Sequence, residues 1–421
     1  KTINYMKSTF FRSMAVVASA GVFLISCTDD SQNPTETIVP QNVLPESLES
    51  VVYNQGSYEI EGSYIVVFDQ KVTGDVTSKS AGDYTASKSA VRDIAAKVFN
   101  GAQLKGDAID HVYSKTLMGV SVQMSKEQAT TVANDSRVAY IEKDQMFTLA
   151  PPPGKGPGSG GGGGTDPQET PWGITRVNGG ATYNGSSVAW IIDSGIQADH
   201  ADLNVDVSRG YNAFTRGKDA DLATDGNGHG THVAGTVAAI DNNIGVIGVA
   251  AGATVIPVKV LSGRGSGSNS GVIAGVDHVA ANGSAGDVAN MSLGGGFSQA
   301  LNDAVINASS VVKFALAAGN ESTSATTKSP ASANGANIYT ISAMSVGDNW
   351  ASFSNYDNPP IEFCEPGVAI KSTWNDGGYN TISGTSMASP HAAGLLLWGN
   401  ISSDGSVNGD PDGSADPIGV N

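Results

Sequence analysis

The stretch "SSVAWIIDSG" at residues 186–195 decides the class of fold, because an apolar run of strand length ends there at an aspartate. Similar short runs recur downstream and alternate with segments of helical spacing, as in "ATVIPVKVL" and "SGVIAGVDHVAANG". Apolar strands separated by helices of about 10–15 residues are typical of a parallel sheet covered on both faces. We therefore predict a three-layer α/β domain with a parallel sheet over residues 168–421.

The charge of the chain limits its partners. Its 421 residues carry a formal net charge of −17. An acidic surface repels phosphate backbones and anionic lipids, so we expect no nucleic-acid partner and no direct attraction to a membrane surface. The same acidity suits hard cations such as calcium, or it simply maintains solubility. We also expect a monomer.

The N-terminus has the pattern of an export signal. Residues 1–26 contain the expected start at Met6, basic residues and an apolar segment. The box "LISC" predicts that Cys27 is lipidated as in bacterial lipoproteins, the alternative being an ordinary signal peptide with an incidental cysteine. Residues 27–57 are a polar tether, and Cys364 has no disulfide partner. We expect an extracytoplasmic protein, secreted or lipid-anchored at a bacterial cell envelope, with membrane contact only through that lipid.

A small module precedes the α/β domain. Residues 58–148 alternate strand-like runs such as "EGSYIVVFDQ" and "VAYIEKDQMF" with two helical segments, the second opening with a capping box of Ser125 and Gln128. This βαββαβ order predicts an α+β fold of the ferredoxin-like type. Residues 149–167 contain "PPPGKGPGSGGGGG", which cannot form a packed core and is expected to be a flexible linker.

Three polar residues follow apolar strands or open an apolar helix. "AWIIDSG" ends at Asp193, "VVKFALAAGN" ends at Asn320, and "GTSMASPHAAGLLLWG" places Ser386 at a helix start. Active sites of parallel α/β folds lie at the carboxyl ends of the strands. Each residue alone is more often a cap than a catalytic group. Together with His229 they supply a nucleophile, a base, an orienting carboxylate and an oxyanion donor.

The spacing of His229 and His232 in "HGTH" leaves two interpretations, a pair of metal ligands or one catalytic base. Zinc needs further ligands, and this stretch offers no cysteine or glutamate at the usual spacing. We therefore predict that His229 is the base and that His232 is a packed structural histidine. His391, His200 and His278 are given no catalytic role.

The motifs "DSGI", "HGTHVAGT", "NMSLGG", "AAGN" and "GTSMASPH" occur in this order over residues 168–400. In this respect the chain resembles the subtilisin-like serine endopeptidases, whose triad follows the order Asp, His, Ser. The resemblance implies Ser386 as nucleophile, His229 as general base and acid, and Asp193 as orienter of the imidazole. It implies that the Asn320 side chain and the Ser386 backbone N–H bind the oxyanion.

The resemblance also implies substrate-binding segments and a calcium site. The segments would flank an extended peptide or wall an uncharged pocket that prefers apolar or aromatic P1 side chains; they contain Ser262, Gly263, Gly265, Ser292, Leu293, Gly294, Gly295, Ala317, Ala318 and Gly319. The structural calcium would be held by oxygen atoms of Gln168, Asp202, Ile240, Asn242, Ile244 and Val246. The module at 58–148 resembles the inhibitory propeptide of these enzymes and would be the enzyme's own intramolecular partner.

Two departures from the family pattern fall at the junction: the glycine tract is an insertion, and prolines follow the expected processing site. The family pattern places processing near Ala150, but Pro151–Pro153 follow, and proline after the scissile bond is normally refused. The acidic tail at residues 402–417 is expected to be a loop, with a calcium site as the alternative. A catalytically silent binding protein of the same family is the alternative function. A lipase or esterase is disfavoured because "GTSMA" is not G-x-S-x-G.

Overall fold

A computed structural model of the chain describes residues 51–52, 59–79, 82–149 and 167–421. The predicted signal peptide, Cys27 and the glycine-rich tract lie outside these residues, as does Ala150. Among the described helices, none is both long and apolar enough to span a bilayer.

The N-terminal domain has the predicted ferredoxin-like order of elements. Its strands and helices are β1 (Val51–Val52), β2 (Glu59–Phe68), α1 (Gln70–Lys79), α2 (Tyr84–Gly101), β3 (Ile109–Tyr113), β4 (Gly119–Gln123), α3 (Lys126–Ala133) and β5 (Val138–Thr148). The sheet order is β1-β5-β2-β4-β3, antiparallel except for the parallel pairing of β1 with β5. Helices α2 and α3 pack their apolar residues against one face of this sheet.

Local sequence explains two of the three N-terminal helices. The capping box that begins α3 is confirmed: Ser125 Oγ accepts from Gln128 N at 3.2 Å, and Ser125 N donates to Gln128 Oε1 at 2.9 Å. Helix α2 buries Val91, Ile94 and Val98 along one face, as their spacing predicts. Helix α1 was not predicted, because its sequence QKVTGDVTSK offers no continuous apolar stripe.

The C-terminal domain contains the long parallel sheet. Its helices are α4 (Trp172–Arg176), α5 (His229–Ala238), α6 (Asn269–Asn282), α7 (Gln299–Ala308) and α8 (Thr385–Leu397). Its strands are β6 (Ala181–Thr182), β7 (Ala189–Asp193), β8 (Asn204–Val205), β9 (Tyr211–Asn212), β10 (Ala250–Ala251), β11 (Thr254–Lys259), β12 (Ser266–Ser268), β13 (Val288–Met291), β14 (Gly295–Gly296), β15 (Lys313–Ala317), β16 (Lys328–Ser329), β17 (Ile338–Ser345), β18 (Asn349–Trp350), β19 (Ile361–Pro366), β20 (Ile370–Thr373), β21 (Tyr379–Ile382), β22 (Ser402–Ser406) and β23 (Pro417–Val420).

The prediction of three layers is confirmed. The central strands run in the order β19-β17-β15-β13-β7-β11 with parallel pairing throughout. Helices α5 and α8 pack on one face and helices α6 and α7 on the other. Strand β7 is central and buried at all five positions, so its last residue, Asp193, is fixed at the carboxyl edge of the sheet.

The two domains share one apolar core. The sheet face of the N-terminal domain opposite its own helices contributes Ile65, Val67 and Phe147 to the cluster that contains α6 and α7. This packing stabilises the pair of domains, since a free N-terminal domain would expose those side chains to water. The small domain therefore sits on two helices of the large one.

Carboxylates of β5 cap the two helices on which the small domain sits. Glu142 accepts from Ser298 Oγ and, at 3.0 Å, from the N–H of Ala300, at the start of α7. Asp144 accepts from the N–H of Ser270 at 3.0 Å, at the start of α6. Helix N-termini favour negative charge, so both contacts attract the small domain.

A third carboxylate at the interface belongs to the large domain and accepts hydrogen bonds from the small one. Asp277 of α6 is fully buried and accepts hydrogen bonds from the backbone N–H groups of residues 114–116. It also accepts from Tyr84 Oη at 2.8 Å. Since Asp277 lies in the large domain, each domain supplies acceptors to the other.

The prediction of a loop for the acidic tail is wrong for residues 402–406, which form a strand, whereas residues 407–416 do form a loop. Strands β22 and β23 form an antiparallel hairpin, and β23 extends the central sheet beyond β19. Asp416 lies between them in sequence and is fully buried, where it accepts from Ser342 Oγ and Asn358 Nδ2. Burial raises the pKa of Asp416 to about 6. Tertiary partners for these polar residues, invisible in the sequence, order the tail.

Candidate functional site

The carboxyl edge of the sheet brings Asp193 and His229 into contact. Asp193 ends β7 and is fully buried, and His229 is the first residue of α5. His229 Nδ1 lies 2.8 Å from Asp193 Oδ1 and 3.0 Å from Oδ2. A carboxylate on Nδ1 holds the imidazole so that Nε2 is the atom available for proton transfer.

The pKa of His229 is raised above its ordinary value of 6.5. Burial alone lowers this pKa, but the charge of Asp193 and its hydrogen bond outweigh burial, and the charge of Asp225 adds to them. Asp225 accepts from Ser194 Oγ and from the N–H and hydroxyl of Thr231. Asp225 is thus a second carboxylate that raises the pKa of His229, and the sequence analysis gave it no role.

Ser386 is the second residue of α8, where the helix dipole favours negative charge. Its Oγ donates to the carbonyl of Ser292 at 3.1 Å, and Ser292 Oγ donates to the carbonyl of Ser386 at 2.7 Å. Among the described residues, no hydrogen bond joins Ser386 to His229. The hydroxyl is therefore turned toward Ser292.

Asn320 follows β15 and lines the same pocket as Ser386. Its Oδ1 accepts from the N–H of Thr385 at 2.8 Å and from Thr385 Oγ1 at 3.0 Å. Because the oxygen is engaged in this way, the amide NH2 is the end left to face the pocket. Sequence reasoning missed Thr385, although it lies inside the quoted "GTSMASPH".

The predicted substrate-binding residues lie in two places. Some line the pocket that contains Ser386 and Asn320, and the others lie along the neighbouring cleft, beside β12. Six of them line the pocket beside Ser386 and Asn320: Leu293, Gly294, Gly295, Ala317, Ala318 and Gly319. Ser292 contacts the Ser386 backbone as described above. Ser262 and Gly263 form the turn before β12, where Ser262 N donates to Ser266 O and Gly263 N donates to Asp219 Oδ1.

The end of β5 occupies the cleft as an added strand. It pairs antiparallel with β12, with Thr148 opposite Ser266 and Met146 opposite Ser268. Leu149 N donates to the carbonyl of Gly265 at 2.8 Å. The module thus adds a strand beside β12, and strand addition is a common way for a protein to bind an extended peptide.

The opposite wall of the cleft is glycine-rich and contacts the same strand. A Cβ placed on Gly295 would lie 3.1 Å from the ring of Phe147, and Phe147 itself is buried. Gln145 Nε2 donates to the carbonyl of Phe297 at 3.4 Å. A side chain at position 295 would therefore press on the Phe147 ring, which would have to shift slightly to accommodate it.

The prediction of an uncharged pocket wall is wrong in one respect. Besides the small residues, Glu321 and Lys328 line the pocket. Lys328 Nζ lies 3.5 Å from Glu321 Oε1. Glu321 directly follows Asn320 in sequence, but Lys328 reaches the pocket only because β16 pairs with β14.

The residues implied for calcium lie in one region. Fully buried Asp202 accepts from Asn242 Nδ2 at 2.8 Å and from the N–H of Val246 at 3.2 Å. Gln168 Nε2 donates to the carbonyl of Ile240 at 3.0 Å, and the N–H of Ile244 donates to Asn242 Oδ1 at 2.7 Å. Burial raises the pKa of Asp202.

This donor set fits calcium in chemistry. It offers one carboxylate together with amide and carbonyl oxygens, which are the ligands calcium prefers. The two side-chain amides present nitrogen to their partners here, and turning them would present oxygen instead. Among the described residues, no group of three or more His, Cys, Asp or Glu side chains suits a metal.

Four further histidines of the large domain have ring nitrogens close to backbone carbonyls. Ring nitrogens of His232, His391, His200 and His278 lie 2.8–3.0 Å from carbonyl oxygens. Burial lowers the pKa of His232 to about 3 and that of His391 to about 4. Both are therefore neutral packed side chains at ordinary pH.

Comparison with known proteins places the chain in a family. The sequence profile "Subtilase family" matches residues 184–398, and "Peptidase inhibitor I9" matches residues 63–150. "Extracellular serine proteinase" of Thermus sp. (strain Rt41A) is 38% identical, with 80% of this chain and 81% of the relative covered. "Alkaline serine exoprotease A" of Vibrio alginolyticus is 39% identical, and the match covers 80% of this chain but only 60% of that relative's length.

A solved structure agrees with these matches. The crystal structure of a cold-adapted subtilisin-like serine proteinase is 38% identical, with a TM-score of 0.52, and the alignment covers 59% of this chain and 96% of that one. A parallel α/β domain with functional side chains at the carboxyl edge of its sheet is consistent with these matches. The chain belongs to the subtilase family of serine proteases, and its N-terminal domain is an inhibitor I9 propeptide domain.

Proposed function

We propose that the chain is an exported serine endopeptidase made as a self-inhibited precursor. The observations that carry this proposal are the His229–Asp193 hydrogen bond and the pocket lined by Ser386 and Asn320, both at the carboxyl edge of the sheet, together with the peptide strand that β5 adds to β12. The Vibrio relative's name records an exoprotease. Here the cleft holds four consecutive residues, 146–149, ahead of the expected junction, which supports binding within a longer chain.

In the proposed reaction Ser386 Oγ turns from Ser292 toward His229 and attacks the carbonyl carbon of the substrate. His229 Nε2 accepts the hydroxyl proton, and Asp193 stabilises the imidazolium. The Asn320 amide and the Ser386 N–H donate to the oxyanion. His229 then protonates the leaving amine. Water hydrolyses the acyl-enzyme in the second half of the reaction: His229 accepts a proton from the attacking water and then returns it to Ser386 Oγ as the acyl group leaves.

The substrates we propose are proteins with apolar or aromatic P1 side chains, since most of the pocket wall is Leu, Ala and Gly. Phe147 and Leu149 indicate that apolar residues are also accepted ahead of P1. For location we propose the extracytoplasmic side of a bacterial envelope, with Cys27 as a lipid anchor. The Thermus relative is named as extracellular, which supports export.

We also propose that the region around Asp202 holds a structural calcium ion. Gln168, Asp202 and Asn242 would supply side-chain oxygens, and Ile240, Ile244 and Val246 would supply carbonyls. The buried carboxylate supports this assignment, because a cation would compensate a charge that burial destabilises. The ion would tie the N-terminal segment of the large domain, around Gln168, to the loop after α5.

The deciding experiment compares residues 28–421 as wild type and as Ser386→Ala, by intact mass and N-terminal sequencing in calcium buffer. We expect only the wild type to lose residues ahead of about Gln168, which would also locate the junction that Pro151 makes uncertain. If both proteins stay full length, an organophosphate label separates the outcomes: a labelled Ser386 indicates maturation by another protease, and no label indicates a silent binding protein.

A further inference from the structure

The hairpin of strands β20 and β21 contacts the helix of the proposed base and leads into the helix of the proposed nucleophile. Its first strand lies beside α5, where Thr373 Oγ1 donates to the carbonyl of Thr231 at 2.7 Å. Its second strand ends at Ile382, four residues before Ser386. One hairpin is therefore placed to affect the separation of the two catalytic groups.

The tip of this hairpin packs on the turn that precedes His229. Gly228 has a φ of +99°, and a Cβ on it would lie 2.5 Å from Cε2 of the Trp374 indole. The indole therefore lies directly against the backbone one residue before the histidine. Its ring centroid is also 6.2 Å from that of His232, at an interplanar angle of 80°. Trp374 thus packs against the chain on both sides of His229.

The next residue of the tip binds the same turn by a hydrogen bond. Asn375 Nδ2 donates to the carbonyl of Asp225 at 2.7 Å. On the other side of the turn, buried Lys259 of β11 donates from Nζ to the carbonyls of Asp221 at 3.1 Å and Thr224 at 2.9 Å. The turn is therefore fixed between a strand of the central sheet and the tip of the hairpin.

The position of the imidazole decides whether Ser386 can give up its proton. Ser386 Oγ donates to the carbonyl of Ser292, and in the proposed reaction it turns to His229 Nε2. General-base catalysis requires these two atoms to come within about 2.6–3.2 Å of one another. Asp193 holds the far side of the ring, at Nδ1, so the backbone at Gly228 and His229 sets how far Nε2 reaches toward the serine.

We propose that Trp374, supported by Asn375, is a positioning residue that fixes the turn at Gly228 and so keeps the His229 imidazole within reach of Ser386. The proposal rests on the proposed endopeptidase function. Neither Trp374 nor Asn375 is among the described residues that line the pocket or that pair with β5. Loss of their contacts should therefore slow proton transfer and leave peptide binding unchanged.

The test measures two rates for residues 28–421 as wild type, Trp374→Ala and Trp374→Phe. The first is the half-time of self-processing after refolding, which reports chemistry without a binding step because β5 already lies beside β12. The second is kcat, measured together with KM on a peptide after processing. We expect Trp374→Ala to lower both rates by a common factor of about tenfold to a hundredfold, with KM within about twofold of wild type.

The conservative variant and a second site separate positioning from general damage. Trp374→Phe should keep at least about a third of both rates, because a phenyl ring still covers Gly228. Asn375→Ala, which removes the hydrogen bond to Asp225, should lower both rates about fivefold. The matched control is Trp398→Ala, which removes an indole that packs edge-on against Tyr183, with ring centroids 5.1 Å apart. Its rates below the melting temperature should equal those of the wild type.

Failure of the proposal and failure of the proposed function give different results. If the processed wild type cleaves no peptide, the endopeptidase function fails. If the wild type is active and Trp374→Ala keeps its kcat or changes only KM, the positioning role is overturned. The role is also overturned if Trp398→Ala slows both rates as much as Trp374→Ala does. If Trp374→Ala does not fold, Asn375→Ala decides, since an unchanged kcat there contradicts the proposal.

Discussion

His229 is hydrogen-bonded to one carboxylate, and the charge of a second carboxylate also raises its pKa. Asp193 binds Nδ1, while Asp225 acts through space and through the turn that leads to the histidine. Both raise the pKa of His229, and burial opposes them. The general base of the proposed reaction is therefore tuned by a residue that the triad motif does not include.

We predict that kcat/KM rises with pH through a pKa above 6.5, because the base must be neutral and its folded pKa is raised. Asp225→Asn removes one of the charges that raise this pKa, so the acid limb should move to lower pH. The exposed acid Asp199 serves as control through Asp199→Asn. An acid limb that does not move in Asp225→Asn would show that Asp225 is only structural.

Helices α6 and α7 hold the small domain at their N-termini. Each receives one carboxylate of β5, Asp144 at α6 and Glu142 at α7. Burial raises the pKa of Asp144, while its hydrogen bonds to Ser270 and Ser63 oppose that rise. The contacts lie on the same strand that enters the cleft, so they align β5 for binding between β12 and β14.

We predict that Asp144→Asn and Glu142→Gln each lower the affinity of the large domain for the cleaved small domain by about tenfold to a hundredfold. An uncharged amide forfeits the attraction to the helix N-terminus and offers fewer acceptor sites to the N–H groups. The measurement is the lag before activity appears after processing of the full chain, which should be shorter in both variants than in the wild type. Glu59→Gln is the matched control, because it breaks the exposed Glu59–Lys143 pair in the same sheet. Equal lags in all three would contradict the prediction.

The whole molecule joins three parts through its core and its polar contacts. The small domain shares an apolar cluster with α6 and α7, and the tail hairpin extends the central sheet. Arg176 of α4 binds Asp348 and Asp404 at once, which links the start of the large domain to the tail. These contacts link segments that are far apart in sequence.

At this scale we predict that calcium stabilises the folded enzyme. Binding to the native state alone contributes about 2.7 kcal/mol at a hundredfold excess over Kd, which is about 5–10 °C in Tm for a domain of this size. The measurement is Tm with calcium and with chelator. Asp202→Asn should abolish the difference between the two conditions, and a wild-type Tm that ignores chelator would count against the site.

The sequence by itself determined the class of fold and the proposed triad. Apolar strands such as the one ending at Asp193 and the helix that begins beside Ser386 depend on local periodicity, which can be read from neighbouring residues. The capping box of α3 and the ferredoxin-like order were predicted for the same reason. Short-range patterns carry this information because they reflect one strand or one helix at a time.

Only the tertiary structure decided which residues far apart in the sequence come into contact. The Glu321–Lys328 pair needs β14 and β16 to pair, the carboxylate Asp225 needs the turn before α5, and the ordered tail needs buried partners for Asp416. None of these partners is marked by spacing or periodicity. Long-range contacts are fixed by how the layers pack, and a single sequence does not display that packing.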